Sequence, residues 1–199
     1  MTMARRILFR ASAVVLGIVV GVGSALLMIR NGAMIGRVDN GQWFGSSAVG
    51  STEADPYTRA LVARIGLLGL NRNETIYFTT MKDSAGRPYD GRCTYRISGG
   101  ALPARWWAVT LYAPDNFLAQ NGDNHPSIDA TSIQTAPDGS WSARIAPTQD
   151  GAEDWISSRN ADAFSLSVRL YNPSEKAASD MRNVRLPVIE RVSCEGEKA

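Results

Sequence analysis

The stretch AFSLSVRLY, residues 163–171, has the most regular alternation of apolar and polar side chains in this chain. Successive side chains of a β-strand point to opposite faces. One face of this stretch would therefore carry Phe164, Leu166, Val168 and Leu170. The other face would carry Ser165, Ser167, Arg169 and Tyr171. The alternation predicts a strand that places one face in a hydrophobic core.

Similar β-rich runs lie on the N- and C-terminal sides of this strand, separated by turn sequences. They occupy 74–81, 93–98, 104–113, 131–135, 141–146 and 184–194. The sequence between Ala136 and Ser140 supplies the Pro and Gly of a hairpin turn. About seven short strands separated by turns predict a mainly β domain, an antiparallel sandwich or a jelly roll.

One helix is predicted ahead of the strands, over residues 56–69. Asp55 is suited to cap its first turn, and Pro56 is favoured at the first helical position. Leu61, Ile65 and Leu68 recur at helical spacing, and Gly69 would end the helix.

The N-terminal region has a long apolar stretch, residues 11–29, which carries no charge. About 20 such residues are needed to cross a bilayer core, so a single transmembrane helix is predicted. Arg5, Arg6 and Arg10 precede it, which favours a cytoplasmic leader over 1–10 and a domain on the periplasmic side of the inner membrane. A cleaved signal peptide is the alternative, but the stretch is long and no small-residue cleavage box follows.

Residues 30–54 are rich in Gly and Ser and are predicted to connect the membrane segment to a domain at 55–199. Trp43 and Phe44 interrupt this connector, and docking on the domain is favoured over the membrane interface. Gly17 and Gly21 form a small-residue pair of the kind that allows close helix packing. This signal for self-association is weak, and a monomeric anchor is favoured.

The charge distribution disfavours one class of partner. Arg5, Arg6, Arg10, Arg30 and Arg37 flank the apolar stretch, so 16 of the 21 basic residues remain against 19 acidic ones. The rest of the chain therefore has a net charge of about −3. A nucleic-acid partner is disfavoured because phosphate binding needs a basic surface.

Four blocks together resemble the bacterial family designated domain of unknown function 1214. They are PYTRALVARIGLLGL leading into ETIYFTT, ALPARWWAVTLYAPDNFLAQN, PDGSW, and FSLSVRLYNP followed by the proline of RLPVIERV. The resemblance runs from about Asp55 to Cys194. It implies a jelly-roll β-sandwich in an exported or membrane protein, often beside a second domain that is absent here, and it implies no activity.

Catalytic groups are few. His125 is the only histidine, and the neighbouring Asp123, Ser127 and Asp129 lie with it in what the Gly and Pro content predicts to be an exposed turn. No metal site is predicted, because one His and two distant Cys do not match metal-ligand spacing. No phosphate-binding glycine loop or other cofactor motif is present.

Polar and aromatic residues on the strands are the best candidates for a binding surface, although a structural role on a solvated sheet face is the favoured interpretation of such residues. The candidates are Arg169, Tyr171, Arg96, Tyr95 and Trp106. Because catalytic groups are few and the predicted architecture is an anchored β-sandwich, the favoured function is a non-catalytic envelope domain that binds a small molecule, a glycan or a protein. The alternatives are an envelope hydrolase or sugar-active enzyme using Asp115, Asp123 or Asp129, and a structural or assembly role.

Cys93 and Cys194 are the only cysteines, and each lies at an end of a predicted strand. In an oxidising compartment such a pair favours a disulfide. The alternative is two buried free thiols, because Cys packs well as a small apolar residue.

Overall fold

The computed structural model describes residues 3–31, 36–52, 54–64, 66 and 69–194. The strands within these ranges are β1 (Arg37–Asn40), β2 (Trp43–Ser46), β3 (Thr75–Thr80), β4 (Cys93–Gly99), β5 (Ala104–Tyr112), β6 (Ser127–Asp129), β7 (Trp141–Ala146), β8 (Trp155–Ser157), β9 (Ser165–Pro173) and β10 (Val188–Cys194). The helices are α1 (Met3–Asn31), α2 (Pro56–Arg64) and α3 (Glu175–Ser179), and a 3₁₀ turn covers Met181–Asn183.

The strands form two sheets, which confirms the predicted mainly β fold. The larger sheet has the order β1-β2-β3-β9-β5-β6, and the smaller has the order β10-β4-β7-β8. The prediction of purely antiparallel pairing is wrong for one pair, because β7 and β8 are parallel. The loop between them carries the chain back along β7, with left-handed backbone at Asp150 and Gly151.

The core lies between the inner faces of the two sheets. Leu166, Val168 and Leu170 of β9 are fully buried, as the alternation predicts. Ile97 of β4 and Ile145 of β7 are buried with them in the same hydrophobic cluster. Each buried side chain of this size stabilises the fold by about 1.5 to 3 kcal/mol relative to an exposed one. The alternate side chains of β9, which include Arg169, point to the opposite face of the larger sheet.

The predicted connector is wrong in part, because residues 37–46 form the hairpin β1-β2 at one edge of the larger sheet. The Trp43 indole Nε1 donates to the Pro187 carbonyl at 2.7 Å, so Trp43 docks on the domain as expected. The Asn40 side chain donates to the carbonyl of Met181 at 3.1 Å and to that of Val184 at 2.7 Å. The β domain thus includes the chain from Arg37, and not only from Asp55.

Helix α2 begins as predicted and ends earlier. Asp55 Oδ1 accepts the backbone N–H of Tyr57 at 2.9 Å and that of Thr58 at 3.2 Å. The Thr58 hydroxyl donates to the same carboxylate and holds the pKa of Asp55 below its usual value. The chain is already left-handed at Gly66, with φ of 68°, so the prediction of Gly69 as the helix end is wrong. Ile65 and Leu68 lie outside the described residues.

The predicted strand at 131–135 is also wrong. Asp129 Oδ1 accepts the backbone N–H groups of Thr131 and Ser132, at 2.7 and 3.1 Å, and this hydrogen bonding closes a turn where a strand was expected. The neighbouring strand is β6, which ends at Asp129 directly before the turn. Thr135 keeps a single bridge to Trp141 across the predicted hairpin turn.

Helix α1 includes the predicted segment 11–29 and continues beyond it at both ends. Its residues Met3–Ile29 are long and apolar enough to cross a membrane. An N-terminal signal sequence meets the same criteria of length and composition.

We expect Gly50→Ala to destabilise the domain by about 2 to 3 kcal/mol. The residue has φ of 71°, and a Cβ there would lie 2.0 Å from the Leu70 carbonyl oxygen. Gly41→Ala is the control, because Gly41 has φ of 61° with no atom within 4 Å of the added Cβ. Urea unfolding followed by tryptophan fluorescence would measure both variants. Equal losses would show that the close approach at Gly50 contributes nothing.

Candidate functional site

A cavity of about 1060 Å³ lies over the outer face of the six-stranded sheet. We call it the outer-sheet groove. Its floor is formed by Thr79 of β3 and by Ser165, Ser167 and Arg169 of β9. Aromatic rings and one helix form its sides, namely Phe44, Tyr77, Tyr112, and Leu61 and Val62 of α2. It continues past the β1-β2 hairpin to Leu186 and Val188.

The groove follows from the register of the strands. Phe44 pairs with Thr79, and Thr79 pairs with Ser167, so these three side chains form one row across the outer face. The small hydroxyl side chains occupy the central strands β3 and β9, and the larger ring lies on β2. Because strand neighbours on one face are close in space, small residues at the centre leave a depression between larger ones.

Arg169 places a positive charge in the floor of the groove. It lies between Tyr77 of β3 and Ala108 of β5 in the register of the sheet. Its Nη2 donates to the Tyr112 hydroxyl, and its guanidinium carbon lies 5.4 Å from the centre of the Tyr112 ring. No carboxylate of the described residues lies within 4 Å of this guanidinium. The charge is therefore available to an anionic ligand.

A second arginine at the groove has its own carboxylate. Arg37 Nη2 lies 2.8 Å from Asp39 Oδ1, and its guanidinium lies 4.2 Å from the centre of the Phe44 ring. Both Arg37 and Asp39 are well exposed, so this pair adds little to stability. Arg37 already pairs with a carboxylate and Arg169 does not, so Arg169 is the better candidate for ligand recognition.

Three of the five predicted binding residues lie on the outer face of the larger sheet, and of these only Arg169 lines the groove. Trp106 and Tyr171 pair across β5 and β9, with ring centres 5.2 Å apart, on the same outer face as Arg169. Tyr95 is 0 % exposed, and its hydroxyl accepts the Asp90 backbone N–H inside the core. Arg96 lies on the smaller sheet and pairs with Glu190 at 2.9 Å. Arg96 and Tyr95 are therefore not part of this surface.

Sequence reasoning missed the aromatic sides of the groove. The alternation of 104–113 places Tyr112 on the same face as Trp106, so that signal for Tyr112 was present. Phe44 and Thr79 had no such signal, because their proximity depends on the pairing of β2 with β3.

The residues considered for catalysis are engaged elsewhere. His125 is exposed, and its ring lies 5.2 Å from that of Trp155. Asp123 pairs with Arg159 and accepts the Ser157 hydroxyl at 2.6 Å. Asp115 and Asp129 accept backbone N–H groups in turns. None of these four residues lines the groove.

The carboxylate of Asp90 and the sulfurs of Cys93 and Cys194 lie within 4.8 Å of one another. The two sulfurs are joined in a disulfide and offer no thiolate to a metal ion. Hydrogen bonds from the Arg92 side chain lower the pKa of Asp90 to about 2. This cluster is therefore a cross-link beside an ion pair, and its donor set does not fit a metal.

Fold and groove together define a two-sheet β domain with one ligand-sized depression on the outer face of its larger sheet. The chain belongs to the family described as "Protein of unknown function (DUF1214)", which matches residues 74–175. That match begins one residue before β3 and ends at the first residue of α3. It includes Arg169, Tyr112 and the floor of the groove.

Two solved structures are similar to this chain. One is the VPA0106 protein from Vibrio parahaemolyticus, with 23% sequence identity and a TM-score of 0.59, over 71% of this chain and 36% of that one. The other is a putative uncharacterized protein from Burkholderia cenocepacia, with 20% identity and a TM-score of 0.47, over 88% of this chain and 42% of that one. The chain thus spans less than half the length of either protein. The likeness to VPA0106 shows a shared fold alone. Comparison with curated proteins gives no match.

Proposed function

We propose that this chain is an envelope protein, held in the inner membrane by α1, whose jelly-roll β domain binds a ligand without catalysis. The outer-sheet groove is the proposed binding site. The observation that carries this proposal is Arg169, a half-buried cation without a carboxylate partner among the described residues, in the floor of a cavity of about 1060 Å³. Small-molecule sites are typically concave, mostly apolar and provided with a few placed polar groups.

The proposed location has two supports. Arg5, Arg6 and Arg10 precede the apolar segment, and a basic leader favours a cytoplasmic N-terminus. The Cys93–Cys194 disulfide is typical of an oxidising compartment such as the periplasm. Self-association of α1 through Gly17 and Gly21 stays a prediction.

Binding is favoured over hydrolysis by the state of the carboxylates. Asp39 and Asp83 line the groove, and each already pairs with an arginine, at 2.8 and 2.9 Å. Acid and base catalysis needs carboxyl groups that can exchange protons with a substrate. Asp115, Asp123 and Asp129, the carboxylates of the hydrolase alternative, lie outside the groove. A structural or assembly role has no specific observation in its favour.

A thermal-shift screen would test the proposed function. A ligand that binds only the folded state, at a free concentration 100 times its Kd, stabilises that state by about 2.7 kcal/mol. We would screen fatty acids, oligosaccharides, amino acids and nucleotides against the full chain in vesicles. We expect at least one class to raise Tm for the wild type and for Ser142→Trp, but not for Thr79→Trp, whose indole would fill the groove.

Ser142 is the matched control because it lies exposed on β7 of the smaller sheet. A Tm shift that survives in Thr79→Trp would place the ligand elsewhere and defeat the proposal. Hydrolysis of a bound compound would favour the enzyme alternative.

A further inference from the structure

We infer that the ligand of the outer-sheet groove is a long-chain fatty-acid anion taken from the adjacent membrane. This inference rests on the proposed function, because it names the ligand class of the same site. Three independent features support it: the apolar sides of the groove, the cation in its floor, and the position of α2 at the end of α1.

The sides of the groove suit a hydrocarbon chain. Phe44, Leu61, Val62 and Tyr77 present rings and aliphatic groups to the cavity. Burial of each further methylene removes more apolar surface from water, so binding would strengthen with chain length. The volume of about 1060 Å³ lies at the upper end of the usual range for small-molecule sites, which leaves room for a long acyl chain.

The floor suits one carboxylate. The guanidinium of arginine donates two parallel hydrogen bonds to a carboxylate, which is stronger and more directional than a neutral contact. Arg169 has a hydroxyl partner in Tyr112, so its side chain is already oriented before a ligand arrives. Ser165 and Ser167 on the same strand add hydroxyl groups beside it. Of the three basic residues that line the groove, Arg37 pairs with Asp39 and Lys82 is exposed, so Arg169 is the half-buried cation that a single carboxylate would meet in the floor.

The groove lies next to the apolar helix. Arg64, the last residue of α2, donates from Nη1 to the Ile29 carbonyl at the C-terminal end of α1, at 3.1 Å. Helix α2 supplies Leu61 and Val62 to the groove. One wall of the site is therefore joined to the end of the segment that would emerge from the bilayer.

The loop after β5 carries apolar side chains beside the groove. Phe117 is 69 % exposed and Leu118 is 42 % exposed, and both follow directly after Asn116, which lines the cavity. In membrane-surface segments, aromatic and aliphatic side chains lie at the boundary between the headgroups and the acyl chains. We assign this loop to contact with the bilayer surface from which the fatty acid enters.

The test uses the full chain in phosphatidylcholine vesicles with cis-parinarate, a fluorescent 18-carbon fatty acid, as the probe. Energy transfer from tryptophan reports binding. We expect oleate to displace the probe, and expect oleyl alcohol, which has the chain without the charge, and butyrate, which has the charge without the chain, to displace it at least 10-fold less well. Equal competition by oleyl alcohol would overturn the inference without any variant.

Variants then test whether Arg169 binds the carboxylate of oleate. Arg169→Gln is expected to weaken oleate binding about 10- to 100-fold, the loss expected for charge-assisted hydrogen bonds. Arg169→Lys should recover part of it. Arg96→Gln is the control, because Arg96 is an outward-facing arginine at the middle of a strand in the smaller sheet. Unchanged affinity in a folded Arg169→Gln protein would overturn the inference.

The two proposals fail differently. If oleate does not bind and another compound raises Tm in the wild type but not in Thr79→Trp, the fatty-acid inference falls and the proposed binding site stands. If oleate binds equally to the wild type, Arg169→Gln and Thr79→Trp, both are overturned. Slower probe uptake by Phe117→Ser/Leu118→Ser at unchanged affinity would support entry from the bilayer, and an unchanged rate would overturn that step.

Discussion

Replacing Cys93 and Cys194 together by alanine is expected to lower the free energy of unfolding by about 2 to 5 kcal/mol. The two residues face each other across β4 and β10, with Cα atoms 4.0 Å apart and a separation of 101 positions in sequence. A cross-link that closes so long a loop restricts the unfolded chain strongly. Urea unfolding of the detergent-solubilised full chain, followed by tryptophan fluorescence, would measure the loss.

Reduction of the wild type provides the control for this prediction. Dithiothreitol should lower the urea midpoint of the wild type and leave that of the double variant unchanged. Thiol alkylation of the unreduced, denatured protein should label neither cysteine. Labelling of both, or equal midpoints for wild type and variant, would contradict a stabilising disulfide.

Asp83→Ala is expected to destabilise the domain by about 3 kcal/mol, because it removes a fully buried carboxylate that pairs with an arginine and accepts two backbone N–H groups. The Asp83 side chain is 0 % exposed and lies 2.9 Å from Arg87 Nε and 3.8 Å from Arg191 Nε. Its oxygens also accept the backbone N–H groups of Ala85 and Arg87, at 3.0 and 2.9 Å. Without the carboxylate, these donors in the β3-β4 turn would lose their partner.

The control for Asp83 is Asp138→Ala. Asp138 also accepts a backbone N–H in a turn, from Ser140 at 2.9 Å, but it is exposed. Its removal should change the urea midpoint much less than removal of Asp83. Similar shifts for the two variants would show that burial and the two arginines add nothing to the Asp83 turn.

The contribution of Asp83 should depend on pH. Burial alone would raise the pKa of Asp83, but hydrogen bonds from the backbone and side chain of Arg87 outweigh burial and lower it from its ordinary value of 3.8. A carboxyl with a lowered pKa in the folded state stabilises the fold fully above its unfolded pKa, and this is lost as pH falls through the folded pKa. The stability difference between wild type and Asp83→Ala should therefore shrink below about pH 4.

The central strands could be predicted from local pattern, because burial of one face leaves a period of two in the sequence. The strand at 163–171 gave the core residues Leu166, Val168 and Leu170 and placed Arg169 on the opposite face. Local pattern could not assign Arg96 and Tyr95 to the correct surface, since the side of a strand that faces the core depends on its partner strands.

The β1-β2 hairpin shows where local pattern fails. Its strands have four residues each in a segment rich in Gly and Ser, so they resemble a connector. They are held by partners distant in sequence, such as Pro187 for Trp43. Phe44 therefore entered the groove without any local signal, and the site could be predicted only in part.

The same distant pairing fixes an order of events during synthesis. Trp43 and its acceptor Pro187 are separated by 144 residues, and Asn40 and Val184 also by 144. At about 5 to 20 residues per second, the hairpin would be made roughly 7 to 30 s before the segment that holds it in place. Closing so large a loop is slow in itself. The side chains of Trp43 and Asn40 therefore remain without these acceptors until a segment 144 positions later has been made.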